Sequence, residues 1–168
     1  MSQYYNIPQM CNEEILSFTG DYFFLSNYSP YGFIAENENY FPTSEHYYHF
    51  RKADVSVKEN RPILEEIMKT KDPHNAKKLG RALTMRKDWD AFRHIIMFVG
   101  NKYKFDQNPD IRNKLIKLNN CVLIEGNTWN DTYWGVNISN GEGHNYLGKT
   151  LMELRDYYIS KYNKSIDL

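Results

Sequence analysis

Apolar residues recur at helical spacing along most of this chain, and residues that favour helix starts precede each such segment. Thr43 or Ser44 can cap the first helix, and a proline lies at the start of two others. The pattern predicts helices at residues 44–53, 62–70, 73–83, 88–105, 110–118 and 146–162. In the fourth helix, the expected buried face is Phe92, Ile95, Ile96, Val99 and Tyr103.

The remaining segments predict a few short strands. Residues 18–41 combine aromatic runs with turn residues, and residues 121–125 form a short apolar run. Residues 127–145 form a polar loop whose length is typical of functional loops. We therefore predict a compact, mostly helical α+β fold. No repeat or linker interrupts the chain, so residues 1–168 are predicted to form a single domain.

Charge is unevenly distributed although the net charge is zero. Residues 51–117 hold 17 basic and 9 acidic residues. Such a block forms either solvated helix faces or the positive wall of a cleft that receives phosphates.

The first residues, the lengths of the apolar runs and the cysteine spacing predict a cytoplasmic protein. The first ten residues lack the basic and apolar regions of a secretory signal, and no apolar run is long enough to span a membrane. Cys11 and Cys121 have no redox or metal-binding spacing, which favours reduced thiols.

One predicted helix carries an acid, a histidine and a lysine on a single face. Glu45 and Lys52 are seven residues apart, about 10 Å along the axis, and Tyr48 and His49 fall between them. This face lines a cleft, or it carries ordinary charges in solvent. The order HExxH is absent, so no metal site is needed, and no cofactor is predicted.

Further motifs occur along nearly the whole chain. They are the segments Gly20 to Asn27 and Tyr40 to His46, Lys52-Ala53, Ala76-Lys77-x-Leu79-Gly80-Arg81, Trp89-Asp90, Met97, Lys104-Phe105, Asp131-x-x-Trp134-Gly135, and Gly143-x-Asn145-x-Leu147-Gly148-Lys149-x-Leu151-Met152. In this order and spacing, residues 18–157 resemble the NADAR family of YbiA-like N-glycosidases.

The resemblance implies a YbiA-like α+β fold and cleavage of the bond between a ribose and a nitrogen. The substrate it favours is ADP-ribose on guanine in DNA or RNA, as in members that act as antitoxins to DNA ADP-ribosyltransferase toxins. The alternative is a ribosylamino-pyrimidine of riboflavin synthesis. A module that only binds ADP-ribose or NAD is a third hypothesis, but it would not need both Glu45 and Lys52.

Two mechanisms fit the residues. In the first, neutral Lys52 holds the sugar as a Schiff base and Glu45 does the acid–base work. The pKa of Lys52 must then be lowered by burial or by positive neighbours such as Arg51, Lys77 or Arg81. In the second, Glu45 activates water and Asp131 stabilises an oxocarbenium-like sugar.

Further residues are predicted to bind substrate, each with a structural alternative. Asn27 contacts a ribose hydroxyl or forms a turn, and Arg81 meets the pyrophosphate or a surface acid. Trp89 and Trp134 stack on a base or belong to the core. The substrate-binding set is Asn27, Tyr48, His49, Arg81, Trp89, Trp134, Gly135 and Asn145.

The polar loop leaves two choices open. Asp131 acts as the second carboxylate or forms an Asx-turn. Gly143 and Asn145 offer backbone N–H groups to a phosphate, or Asn145 caps the last helix.

Overall fold

The computed structural model describes residues 13–164, in two compact units. The central unit is Thr19–Asn108, and the terminal unit consists of residues 13–18 and 109–164. The expectations for Cys11 and for the first ten residues lie outside the described residues. The single-domain assignment stays a prediction.

Helices dominate the described part of the chain, as predicted. They are α1 Ser44–Arg51, α2 Asn60–Lys69, α3 Pro73–Arg81, α4 Trp89–Gln107, α5 Pro109–Lys117 and α6 Tyr146–Lys164. The strands are two residues each: β1 Glu14–Ile15, β2 Phe33–Ile34, β3 Tyr40–Phe41, β4 Val122–Leu123, β5 Gly126–Asn127 and β6 Val136–Asn137. β1 pairs with β4 and β5 with β6 in parallel, and β2 pairs with β3 antiparallel. The α+β prediction is confirmed.

In the central unit, α1 packs against α2, α3 and α4. One side of α1 enters an aromatic cluster in which the Tyr47 ring meets Phe41 edge-on, with centroids 5.2 Å apart. The other apolar contacts surround Ile67 of α2 and Ala76 of α3. Burial of these apolar side chains holds α1 in place.

Residues 18–41 contain less strand than the sequence predicts. Gly20–Leu25 is a 3₁₀ helix. Its side chains are exposed at Tyr22 and Phe23 but buried at Phe24 and Leu25. Two exposed residues are followed by two buried residues, whereas exposed and buried side chains would alternate one by one in a strand.

The predicted buried face of α4 is partly wrong. Ile96 is buried, but Phe92 and Ile95 are 40% and 55% exposed. Asn101 and Lys104 are fully buried in their place.

Polar partners make this burial possible. The Lys104 ammonium donates to the Ser26 carbonyl at 2.9 Å. The Asn101 amide donates to Oδ1 of Asn27 at 3.1 Å. Buried polar groups that find partners do not incur the full desolvation penalty.

The terminal unit is built on β4, which packs against α6. Arg155 of α6 is buried, and its Nη1 donates to the carbonyls of Leu118 and Cys121 at 2.8 and 2.7 Å. Cys121 is itself buried and disulfide-bonded, which corrects the expectation of a reduced thiol at this position.

None of the helices in residues 13–164 has the length and apolar character needed to cross a membrane. The cytoplasmic location stays a prediction.

Candidate active site

The start of α1 fixes the position of Glu45. Thr43 is the N-cap, and its hydroxyl accepts from the His46 backbone N–H at 3.4 Å. The Glu45 N–H donates to the Asn27 carbonyl at 3.1 Å. Two of the N–H groups that a helix start leaves unpaired are thereby satisfied.

Glu45 and His49 form a buried pair one turn apart. Oε1 of Glu45 lies 3.1 Å from Nε2 of His49, and each residue is only 6% exposed. This burial excludes the alternative in which Glu45 is an ordinary charge in solvent.

A third group reaches the same carboxylate oxygen. Nζ of Lys77, on α3, lies 4.0 Å from Oε1 of Glu45. Both contacts fall on Oε1, and within residues 13–164 no donor is hydrogen-bonded to Oε2. Oε2 is therefore the oxygen available to a ligand.

Lys52 follows α1 directly, and its ammonium does not pair with Glu45. Instead, Nζ donates to the Gly80 carbonyl of α3 at 3.1 Å. Burial lowers the pKa of the Lys52 ammonium, and the positive charge of Arg81 lowers it further. Burial and a positive neighbour are the two causes of a lowered Lys52 pKa that were predicted from the sequence. Of the three candidate neighbours, Arg81 is the one that acts. Arg51 instead pairs with Glu36 at 2.6 Å.

Gly80 brings α3 close to α1. A Cβ at this position would lie 2.1 Å from Nδ1 of His49, closer than any atoms can approach. Only glycine therefore allows this contact. From the sequence, Gly80 looks like a weak point of α3, but a glycine inside a helix was the signal for close packing.

Arg81 ends α3 with an exposed side chain. Among the described residues, no carboxylate comes within 4.0 Å of its guanidinium. The salt-bridge alternative is therefore not realised, and the guanidinium can bind an anion.

Two residues near the pair were missed. The Tyr28 ring lies 5.8 Å from Nζ of Lys77, and burial raises the pKa of its phenol to about 12, with Glu45 acting in the same direction. His46 ties α1 to the end of α2, because its Nε2 lies 3.1 Å from the Thr70 carbonyl. Burial lowers the pKa of His46. Tyr28 could have been predicted from the sequence, because it directly follows Asn27, a predicted substrate-binding residue.

Asn27 takes a structural role. Its side chain is 7% exposed and is bonded to Asn101 and to the Met97 sulfur, which lies 3.2 Å from Nδ2. These contacts use the groups that were predicted to bind a ribose hydroxyl.

Trp89 belongs to the core. It is 6% exposed, and its ring packs 5.0 Å from that of half-buried Tyr48. The structure thus realises the core alternative, and the prediction that Trp89 stacks on a base is wrong.

Asp131 of the terminal unit forms the Asx-turn. Its Oδ1 accepts from the backbone N–H groups of Tyr133 and Trp134 at 3.2 and 3.0 Å. The Asn127 side chain brackets Asp131, donating to its carbonyl and accepting from its N–H.

Asn145 fills a different role from either prediction. Its side chain accepts from the Glu125 N–H at 3.0 Å and donates to the Leu123 carbonyl at 2.8 Å. Its own N–H donates to the Gly135 carbonyl. Neither the phosphate-binding role nor the side-chain cap is therefore realised.

Trp134 and Gly135 lie beside this turn. The Trp134 ring is half-buried and meets Tyr133 edge-on, with centroids 5.1 Å apart. Gly135 is buried, and a Cβ there would lie 2.3 Å from the Glu125 carbonyl oxygen. Close packing accounts for this glycine.

The structure thus gathers Glu45, His49, Lys52, Lys77 and Arg81 in the central unit. Asp131, Trp134, Gly135 and Asn145 belong to the terminal unit. Across the described part of the chain, no three His, Cys, Asp or Glu side chains gather where they could hold a metal ion.

A separate groove of about 710 Å³ lies on the side of α1 that carries Phe50 and Arg51. Its lining does not include Glu45, His49 or Lys52. Two of its cations are already paired, Arg51 with Glu36 and Arg86 with Asp88. The candidate catalytic residues therefore lie on the α1–α3 face, outside this groove.

Known proteins resemble the chain over nearly its whole length. The model of the NADAR domain matches residues 17–158. A riboflavin biosynthesis protein PYRR of Zea mays is 37% identical over 154 residues, which cover 85% of this chain but only 24% of the maize protein. An N-glycosidase of Nostoc punctiforme is 38% identical over 133 residues, covering 78% of this chain and 82% of the relative.

A solved structure has the same fold. The NMR structure of the Escherichia coli protein YbiA matches with a TM-score of 0.77 at 30% identity. The match covers 91% of this chain and 89% of YbiA.

Proposed function

We propose that this chain, which belongs to the NADAR family, removes ADP-ribose from guanine bases of nucleic acid. Its likeness to N-glycosidases identifies it as a hydrolase that acts on N-glycosyl bonds. The guanine substrate, the ADP-ribosyl group and the residue roles are our proposal.

The observation that carries the proposal is the environment of Lys52. A nucleophilic amine must be neutral, whereas a free lysine has a pKa of about 10.4. Burial and Arg81 both lower the pKa of Lys52, and its contact with Gly80 keeps it apart from Glu45. A carboxylate beside the ammonium would have had the opposite effect.

The chemistry then runs through a Schiff base. The ribosylamine opens to an imine at C1, and the Lys52 nitrogen adds to that carbon. The C1–N bond to guanine breaks, the guanine nitrogen leaves as an amine with the hydrogens that the Lys52 nitrogen loses, and C1 remains double-bonded to Lys52. Water adds to C1 with loss of a proton to Glu45, and Lys52 is released.

Cations on α3 support an ADP-ribosyl substrate. Arg81 has no acidic partner among the described residues, and Lys77 lies one turn before it. A guanidinium binds a pyrophosphate through paired, charge-assisted hydrogen bonds. We accordingly propose a DNA ADP-ribosyltransferase as the functional partner, since this hydrolase would reverse its modification.

The second candidate substrate is a ribosylamino-pyrimidine phosphate. The maize relative is named for riboflavin biosynthesis, and the same Lys52 chemistry acts on any ribosylamine. This substrate carries a single phosphate and has no pyrophosphate for Arg81.

The test compares both substrates. The protein is incubated with guanine-ADP-ribosylated DNA and with a ribosylamino-pyrimidine phosphate, and the released sugar is measured. We expect faster release from the DNA, loss of turnover in Lys52→Ala and Glu45→Ala, and a borohydride-trapped adduct on Lys52. Release from the pyrimidine alone would establish the second candidate, and release without trapping would favour the carboxylate-only mechanism.

A further inference from the structure

His49 presents one nitrogen to Glu45 and buries the other. Nε2 lies 3.1 Å from Oε1 of Glu45, while Nδ1 is buried without a hydrogen-bond partner. Gly80 of α3 packs directly against this Nδ1 side of the ring. Water therefore has no access to Nδ1.

This burial disfavours every protonation pattern that places a hydrogen on Nδ1. If the ring were an imidazolium, or if a protonated Glu45 donated to Nε2, then Nδ1 would carry a hydrogen. That buried N–H would have no acceptor, which costs about 1–3 kcal/mol. A neutral ring with its hydrogen on Nε2 leaves no donor unpaired and makes Oε1 of Glu45 the acceptor, a hydrogen bond that is stronger when the carboxylate is charged.

We propose that His49 is a positioning residue that holds Glu45 as an ionised carboxylate, so that Glu45 acts as the base. This inference rests on the proposed function. The Nε2–H group of His49 donates to Oε1 of Glu45. Oε2 of Glu45 then accepts the proton from the attacking water. The oxygen of that water bonds to C1, and the electrons of the C1=N double bond return to the Lys52 nitrogen.

The groups around the pair are consistent with a charged Glu45. Lys77 approaches from α3, His46 lies on α1, and Tyr28 faces Glu45 from the loop before β2. Lys77 is a cation, and Tyr28 and His46 are neutral near pH 7 because burial raises the pKa of the first and lowers that of the second.

Arg81 and Asp72 also act electrostatically on Tyr28, and Asp72 acts on His46. Uncharged groups of α4 and α2 contact α1 as well. Gly100 and Trp89 of α4 face Tyr47 and Tyr48. α2 packs through the apolar cluster around Ile67.

Nitrogen-15 NMR of the free protein tests the hydrogen bond without any substrate. At pH 7 we expect the His49 ring to be neutral with its proton on Nε2. A proton on Nδ1, or an imidazolium, would overturn the proposal. Because no turnover is involved, this result stands apart from any failure of the proposed function.

Kinetics test the role of the pair. In His49→Leu, we expect kcat to fall by about 10- to 100-fold, because a misplaced general base loses part of a contribution of about 10²–10⁴. The acidic limb of the pH–rate profile should move to higher pH, since the carboxylate has lost a donor that favours its charged form.

Two further variants separate positioning from general damage. His49→Gln keeps an N–H donor and should restore the acidic limb and most of kcat. His74→Leu removes an exposed imidazole from α3 and should leave both unchanged. If the acidic limb of a folded His49→Leu variant, checked by circular dichroism, stayed in place, the positioning role would be refuted.

Discussion

Gly80 touches the His49 ring so closely that a single added methyl group would overlap Nδ1. The same residue offers its carbonyl oxygen to Lys52 at 3.1 Å. One backbone position on α3 therefore sets the place of both the base-positioning histidine and the candidate nucleophile.

Gly80→Ala should accordingly damage stability and activity together. Alanine in a helix is favoured over glycine by about 1 kcal/mol, but overpacking costs about 1–3 kcal/mol. We expect a net loss of unfolding free energy in urea titrations and a fall in kcat of at least about tenfold. Asn75→Ala, an exposed change on the same helix, is the control. If Gly80→Ala were more stable than the parent, the close contact between Gly80 and the His49 ring would be refuted.

The pKa of Lys52 should depend on Arg81. Removing that charge in Arg81→Ala takes away the smaller of the two causes of the lowered pKa, so the titration of Lys52 should move to higher pH. At fixed pH near neutrality, we expect Lys52 acylation to slow by up to about fivefold, the range of a partly screened charge interaction.

Mass spectrometry of the acylated peptides measures this rate over a pH series. Arg81→Lys keeps the charge and should behave as the parent does. A shift to lower pH in Arg81→Ala would contradict the assignment.

Asp131 should be replaceable by asparagine. Its Oδ1 accepts two backbone N–H groups, and an amide oxygen can do the same. Asp131→Asn should retain activity within a few-fold, whereas Asp131→Ala should lose about 1 kcal/mol of stability with the turn. A fall of about a hundredfold or more in Asp131→Asn would instead support a catalytic carboxylate, as in the oxocarbenium mechanism.

His46 should make the protein less stable in acid. Its folded-state pKa is lowered, so the unfolded chain binds a proton more readily. By linkage, its contribution is complete above the unfolded pKa of about 6.5 and is lost as the pH falls through the lowered value.

Urea unfolding at pH 7.5 and pH 5 measures this effect against His46→Gln, which cannot titrate. The parent should lose more unfolding free energy between the two pH values than the variant does. Equal losses would mean that His46 does not drive the change.

The helices could be predicted from the sequence because their signals are local. Thr43 caps α1, and the Asp72 side chain accepts from the His74 N–H at 3.0 Å to start α3. The shared face of Glu45 and His49 likewise follows from spacing along one helix. These features depend on residues only a few positions apart.

The errors arose where distant groups decide. Burial of Lys104 depends on a carbonyl 78 residues away, which no periodicity reveals. The Asn145 side chain bonds to the Glu125 N–H and the Leu123 carbonyl, 20 and 22 residues away. The contact of Gly80 with His49 joins two helices; the glycine signals close packing, but its partner on α1 appears only in the fold.

The Gly80 carbonyl has one more effect on Lys52. A charged ammonium has three hydrogens and no lone pair, but the neutral amine has two hydrogens and one lone pair. If one N–H still points at Gly80, the lone pair must be directed away from that carbonyl oxygen. The contact that anchors the protonated Lys52 therefore also orients the lone pair of the neutral amine.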